Sequence, residues 1–220
     1  MTEWADEAQT RQGLYRFIGV ALRSPEIERL KLLTGAREFL DGRDLDRYVY
    51  SSDWRRFCDE LDSVSAIGPL EVEYVRLFGV GMGGTPASPT ESVYSAPTRD
   101  GETADFISTL LSEYRSMGLV SVGSVESPDH ISTEMEVMSY LCGVEAEAWS
   151  SEQSRLALET LGVESRFLRG HLAAWVPLFA GRVRVADADG FYGRLVDLLH
   201  AYVVHEADYV YSIVKRSAST

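Results

Sequence analysis

Asp129 and His130 stand side by side in the stretch SPDHISTEMEVMSYLC, Ser127 to Cys142. A carboxylate beside an imidazole could act as an acid/base pair, supply metal ligands, or hold another molecule. Ser127 reads as a helix N-cap and Pro128 as the first helical residue, which predicts a helix from Ser127 to about Trp149. On such a helix neighbouring residues point about 100° apart and do not face each other. A catalytic dyad is therefore disfavoured. Ile131, Met135, Met138 and Cys142 share one face and form the expected core stripe. His130, Glu134 and Leu141 fall at its edge. Asp129 falls on the opposite side with Glu136, Tyr140 and Glu147. The plainer alternative makes Asp129 a charge that complements the helix N-terminus and His130 a capping or half-buried polar residue.

Other chemistries leave little trace. GVGMGGTP, residues 79–86, has the glycines of a phosphate loop but no lysine, and it follows a helix rather than a strand. No GxSxG elbow occurs. His205-Glu206-Ala207-Asp208-Tyr209 puts a tyrosine where HExxH needs its second histidine, and Asp197-x-x-His200 is one half of a di-iron pattern at most. We expect no catalytic residues, no metal and no cofactor. Cys58 and Cys142 are isolated in apolar-periodic segments, as expected of buried thiols.

The net charge of -13 argues against nucleic acid as a partner. No basic residue lies between Arg115 and Arg155, while Glu126, Asp129, Glu134, Glu136, Glu145, Glu147 and Glu152 do. That window reads either as a cation-attracting field or as a solvated helix face. The scarcity of lysine beside arginine fits a salty habitat as well as a biased genome. No apolar run is long enough for a membrane span, and the acidic start MTEWADEAQT lacks a secretory signal pattern. A cytoplasmic protein is expected.

The elements that must position these residues read as helices. Residues 4–23 carry Trp4, Ala8, Leu14, Phe17, Ile18 and Ala21 at helical spacing and stop at Ser24-Pro25. Helices are also predicted over 44–62, 69–79, 102–118, about 152–174 and 189–215. VRVAD, residues 183–187, is the best strand candidate. The prediction is a single all-α domain over 1–220, a bundle of eight to nine helices. One long Gly/Pro-rich loop, residues 79–101, should lie across the helix that begins at Ser127.

Three stretches carry a resemblance. EYVRLFGVGMGGTPASPTESVY, residues 73–94, resembles the E-Y-x-x-L-F … P-x-x-x-S-x-Y segment of the TorD/DmsD/NarJ family of molybdoenzyme chaperones. PDHISTEMEVMSYLC is similar to that family's P-D-H-[IL]-x-x-E-[LM]-x-[FV]-M-x-x-L signature. FLRGHLAAWVPLFAGRV, residues 167–183, resembles its F-x-x-x-H-L-x-x-W-x-P-x-F segment. The family's P-P-Y-E-S reads Ser88-Pro89-Thr90-Glu91-Ser92 here, so the aromatic at position 90 is missing.

The resemblance implies an all-helical cytoplasmic chaperone without turnover, as a monomer or a homodimer. Its partner would be the apo catalytic subunit of a molybdopterin oxidoreductase, or that subunit's twin-arginine signal peptide, held until the cofactor is inserted. Asp129, Glu73, Glu91 and Glu134 are the carboxylates offered to the two guanidiniums. Leu77, Phe78, Tyr94 and Trp175 are offered to the apolar stretch; for Leu77, Phe78 and Trp175 the alternative is plain core. Ser92, His130 and His171 complete the implied peptide site. The competing readings are a nucleotide-hydrolysing enzyme using Asp129 and His130, and a structural assembly subunit.

Overall fold

The computed structural model describes residues 2–81, 84–95, 102–119 and 126–217. They form α1 (Thr2–Ala21), α2 (Ile27–Asp41), α3 (Ser51–Ser63), α4 (Ile67–Phe78), α5 (Ser92–Ser95), α6 (Glu102–Ser116), α7 (Ile131–Ser150), α8 (Ser154–Gly170), α9 (Leu172–Ala186) and α10 (Phe191–Ser217), with a 3₁₀ turn at Leu45–Arg47. Among the described residues there is no strand, only isolated bridges at Gly81–Gly84 and Thr90–His130. The all-α expectation holds.

Four features differ from the sequence reading. The helix predicted over 44–62 begins only at Ser51, after the separate 3₁₀ turn. The helix expected from Ser127 starts at Ile131, with His130 as its N-cap. Ser127 to His130 instead form a turn, closed by the His130 N–H on the Ser127 carbonyl at 3.0 Å. The predicted helix over 152–174 breaks at His171, whose φ of -121° and ψ of -94° leave the helical region between α8 and α9. The strand candidate VRVAD runs through the last turn of α9: Val183 is buried and Val185 exposed, as two residues on a helix can be. Among the described residues the count is ten: α2 had no counterpart among the helices read from sequence, the short α5 lies inside the predicted loop, and the break at His171 makes two helices of one.

α7 is the central element, packed lengthwise on α1 and α8. The approach to α1 is close enough that a Cβ at Gly19 would stand 2.9 Å from the Met135 Cβ. Tyr15, Phe17, Phe57, Phe167, Trp175 and Phe179 fill the core. Cys58 and Cys142 are both buried and free.

The helices also meet around a charge. Arg11 of α1 is 2% exposed. Its guanidinium donates to Glu145 of α7 and Glu206 of α10, each at 2.7 Å, and to Glu164 of α8. One cation faces three carboxyls, so the cluster needs a proton to approach neutrality. Burial pushes the Glu164 carboxyl up to about 8 despite Arg11, and burial likewise raises Glu145. Cys142, Glu145 and Glu164 bring ligand atoms within 4.8 Å of one another. Arg11 already occupies that centre, and the other Glu145 oxygen accepts from the Trp149 indole at 2.9 Å, so this donor set is matched to a guanidinium rather than a metal ion.

Candidate functional site

The segment 84–95 is laid across the start of α7, as expected of the long loop. The Ile131 N–H donates to the Pro89 carbonyl at 2.8 Å and the Glu91 N–H to the Asp129 carbonyl at 2.9 Å. Thr90, where the family pattern has an aromatic, is the bridge residue opposite His130, and its hydroxyl lies 2.8 Å from that of Ser88. Residues 82–83 and 96–101 of the predicted loop lie outside the described residues.

Asp129 is 2% exposed, not on a solvent face. The helix projection failed because residue 129 precedes the helix. One of its oxygens accepts from the Ser92 N–H at 3.1 Å and the other from the Ser127 hydroxyl at 2.7 Å. Asp129 therefore latches the recognised loop to the turn before α7. The Tyr114 hydroxyl, from α6, donates to the Pro128 carbonyl at 2.9 Å and braces the same turn. His130 is buried as the N-cap, its Nδ1 accepting from the Ser132 N–H at 3.2 Å. Burial lowers its pKa, against the pull of Glu126 and Asp129. Asp129 spends both oxygens on Ser92 and Ser127 and His130 spends Nδ1 on its own helix start, so the two do not engage each other as a catalytic pair.

His171 holds the other side of the loop. Its Nδ1 lies 2.8 Å from Glu91 and its Nε2 2.8 Å from Glu113. Burial works against the imidazolium, but the two carboxylates outweigh it and the pKa rises. Glu134 is fully buried beside Glu91, and its Oε2 accepts from the Trp175 indole at 3.0 Å. Among the described residues its Oε1 finds no donor. Burial first, and the Glu91 charge second, push this carboxyl well above its usual range.

The structure thus brings Glu91, Ser92, Asp129, His130, Glu134, His171 and Trp175 into one buried polar clasp. It does not bring Glu73 there: that carboxylate pairs with Arg76 one turn along α4, with Nε to Oε2 at 2.7 Å, and its pKa is lowered by the contact. Leu77, Phe78 and Trp175 belong to the interior rather than to an open wall. The acidic window is also divided, with Asp129, Glu134 and Glu145 buried and Glu136, Glu147 and Glu152 exposed.

What reaches the surface is Tyr94. Its ring stacks on Trp175 at 5.4 Å, its hydroxyl donates to the Ser88 carbonyl at 2.9 Å, and the Arg182 guanidinium lies over its outer face at 4.6 Å. Around it runs a groove of about 630 Å³ between the loop and α9, lined by Pro86, Val93, Leu178 and Val185 among others. Val93, Leu178 and Val185 are all largely exposed. Arg76 reaches the Ala186 carbonyl at 3.0 Å, so the Glu73–Arg76 pair stands at the edge of this groove. Sequence reasoning missed Glu113, Ser127, Tyr114 and Arg182. Of these Arg182 lay in a recognised segment as an unexplained charge, and Ser127 was read only as a helix N-cap; Glu113 and Tyr114 gave no signal. A larger groove lies between α1, α2 and α7; it contains none of the expected peptide-site residues, though Glu136, Ser139 and Tyr140 of the recognised α7 segment line it.

Comparison with known proteins agrees with this architecture. The chaperone protein TorD of Aeromonas salmonicida is 37% identical over 100 residues, a match spanning 46% of this chain and 45% of that protein. The chlorate reductase assembly chaperone of Ideonella dechloratans is 31% identical over 64% of this chain and 72% of its own length. The perchlorate reductase assembly chaperone of Dechloromonas aromatica is 22% identical over 92% of this chain and 91% of its own. In three dimensions the chain matches the crystal structure of a protein described as a candidate redox enzyme maturation protein from Archaeoglobus fulgidus, with a TM-score of 0.57, 19% identity, and coverage of 88% and 93% of the two chains; that likeness concerns the fold. The model of the nitrate reductase delta subunit family matches residues 49–181, which hold the first two recognised segments, all but the last two residues of the third, and the whole clasp around Asp129 and His171. The chain belongs to the nitrate reductase delta subunit family, the TorD/NarJ family that its sequence resembles.

Proposed function

We propose that this protein is a cytoplasmic maturation chaperone without turnover. Its client is the apo form of a molybdopterin-containing oxidoreductase subunit, recognised by the twin-arginine signal peptide and held back from export until the cofactor is in place. The names of its relatives, assembly chaperones of chlorate and perchlorate reductases and TorD, support the class.

The observation that carries the reading is the relation between the clasp and the groove. Buried carboxylates and an imidazolium fix the loop on α7 and α9, yet the fixed loop leaves Val93 facing Leu178 and Val185 across Tyr94, all open to solvent. Rigid support beneath an uncovered apolar groove is what binding an extended apolar segment requires. The guanidiniums of the peptide need a different partner from the buried Asp129, Glu91 and Glu134. Glu73, at the groove edge and held only by Arg76 on the surface, can exchange that arginine for one from the peptide.

The test is calorimetry with a synthetic peptide carrying two consecutive arginines followed by an apolar stretch. Leu178→Asp and Glu73→Gln should each weaken binding about tenfold while leaving the melting temperature unchanged, and a two-lysine peptide should bind more weakly than the arginine peptide. Affinity unaltered in both variants would remove the groove beside Tyr94 as the site.

A further inference from the structure

The larger groove, about 960 Å³, is built by α1, α2 and α7 and shares no residue with the groove beside Tyr94. Its floor is apolar, with Leu32, Phe39 and Tyr140 each about half exposed at its walls. Small residues keep it open. A Cβ at Gly35 would meet nothing within 4 Å, and a Cβ at Gly13 would press to 2.9 Å from the Phe39 ring.

Its charge is opposite to that of the whole chain. The lining holds Arg16, Arg23 and Lys31 against one carboxylate, Glu136, in a chain of net charge -13. Glu136 is taken by Arg23 at 2.6 Å, and Lys31 is paired with Glu28 outside the lining at 2.9 Å, which leaves Arg16 as the unmatched cation. The Arg23 Nε is buried with no hydrogen-bond partner. Arg16 is exposed and has no ion pair among the described residues. A guanidinium left unmatched beside uncovered leucine and phenylalanine is complementary to a carboxylate beside apolar side chains.

We propose that this groove docks an acidic amphipathic peptide segment of a partner protein, its apolar face on Leu32 and Phe39 and its carboxylates on Arg16 and Arg23. The site is independent of the twin-arginine groove, because a segment rich in arginine would be repelled here.

The full-length protein can be titrated with a fluorescent synthetic peptide of about 14 residues, four turns of helix, with leucines on one face and glutamates on the other. A twin with lysine for glutamate is the control. The glutamate peptide should bind, more weakly as salt rises, and the lysine twin should not. Gly35→Leu, which fills open space, and Arg16→Glu should each reduce binding about tenfold without moving the melting temperature. Neither should alter affinity for the twin-arginine peptide, which separates this proposal from the function proposed above. Equal binding of the two amphipathic peptides, or full binding by Gly35→Leu, overturns the proposal. So does a concentration-dependent dimer that Gly35→Leu dissociates, which would give the groove to a second copy. Binding to anionic vesicles that Gly35→Leu abolishes, with no binding of the glutamate peptide, would give it to a lipid surface.

Discussion

Nδ1 of His171 lies 2.8 Å from Oε2 of Glu91, joining the break between α8 and α9 to the loop that crosses α7. Glu91 is 1% exposed, so His171 stands where water would otherwise solvate its carboxyl. We predict that His171→Ala destabilises the fold by about 3 kcal/mol near neutral pH, because it strands a buried carboxylate. The pKa of His171 is raised above its ordinary 6.5. Its contribution is therefore complete below that value and is lost as pH rises through the folded-state pKa. Urea unfolding of wild type and variant should show a stability gap that is full at and below about pH 6 and narrows as pH rises above the ordinary imidazole range. A constant gap would mean that His171 acts by packing on Phe167 rather than by charge.

Asp129 holds both ends of a short latch, the Ser92 N–H and the Ser127 hydroxyl. The helix projection from sequence made it a solvent-facing group whose loss would spare the fold. The buried geometry reverses that expectation. Asp129→Ala should cost about 1–3 kcal/mol, the range for leaving buried partners unsatisfied, and should free the loop. Hydrogen exchange at Ser92 should then speed up far more than exchange at core amides of α10. Protection of Ser92 equal to wild type would contradict the latch.

Much of this was legible in sequence, and the failures have physical causes. Periodicity located α1, α3, α4, α6 and α10, because their apolar stripes face one core. It merged α8 with α9, because the break at His171 is a backbone excursion enforced by Glu91 and Glu113, residues far away in the chain. Motif strings placed Glu91, Asp129, His130 and Trp175 in one neighbourhood correctly. They could not tell a carboxylate offered to a ligand from one consumed by the protein's own N–H groups, since burial depends on which element lies on top. Arg11 passed unnoticed: one arginine in a helix is ordinary until three other helices each bring it a carboxylate.

Trp175 and Glu134 form a second test of the clasp. The indole N–H is the hydrogen-bond partner of Glu134 Oε2, and among the described residues Oε1 finds no donor. Trp175→Phe should cost more than the lost ring area, about 1–3 kcal/mol in addition, because the buried Glu134 then loses its indole donor. The double variant with Glu134→Leu should recover much of that addition, since both polar partners are gone. Additive losses in urea unfolding would show that the bond contributes nothing beyond packing.

The Arg11 cluster makes the sharpest prediction about pH. Glu164 titrates near 8 in the folded protein against an ordinary 4.5. Between those values the folded state binds the extra proton, so this group lowers stability as pH rises through the interval. Glu164→Gln keeps an acceptor for Arg11 and removes the titration. The variant should match or trail wild type near pH 5 and exceed it by up to about 2 kcal/mol near pH 8.5. That figure starts from about 1.4 kcal/mol for each tenfold change in proton affinity and is discounted because the buried cluster relaxes. Arg11→Met does the reverse. Three buried carboxyls then face no cation, each must be protonated to stay buried, and the cost of about 4 kcal/mol near pH 8 should shrink as pH falls toward 5. Melting curves for wild type and both variants across this range should therefore diverge at the alkaline end in opposite directions. Parallel curves would mean that the carboxyls escape to solvent instead of holding a proton, and that the four helices are not joined through a shared charge.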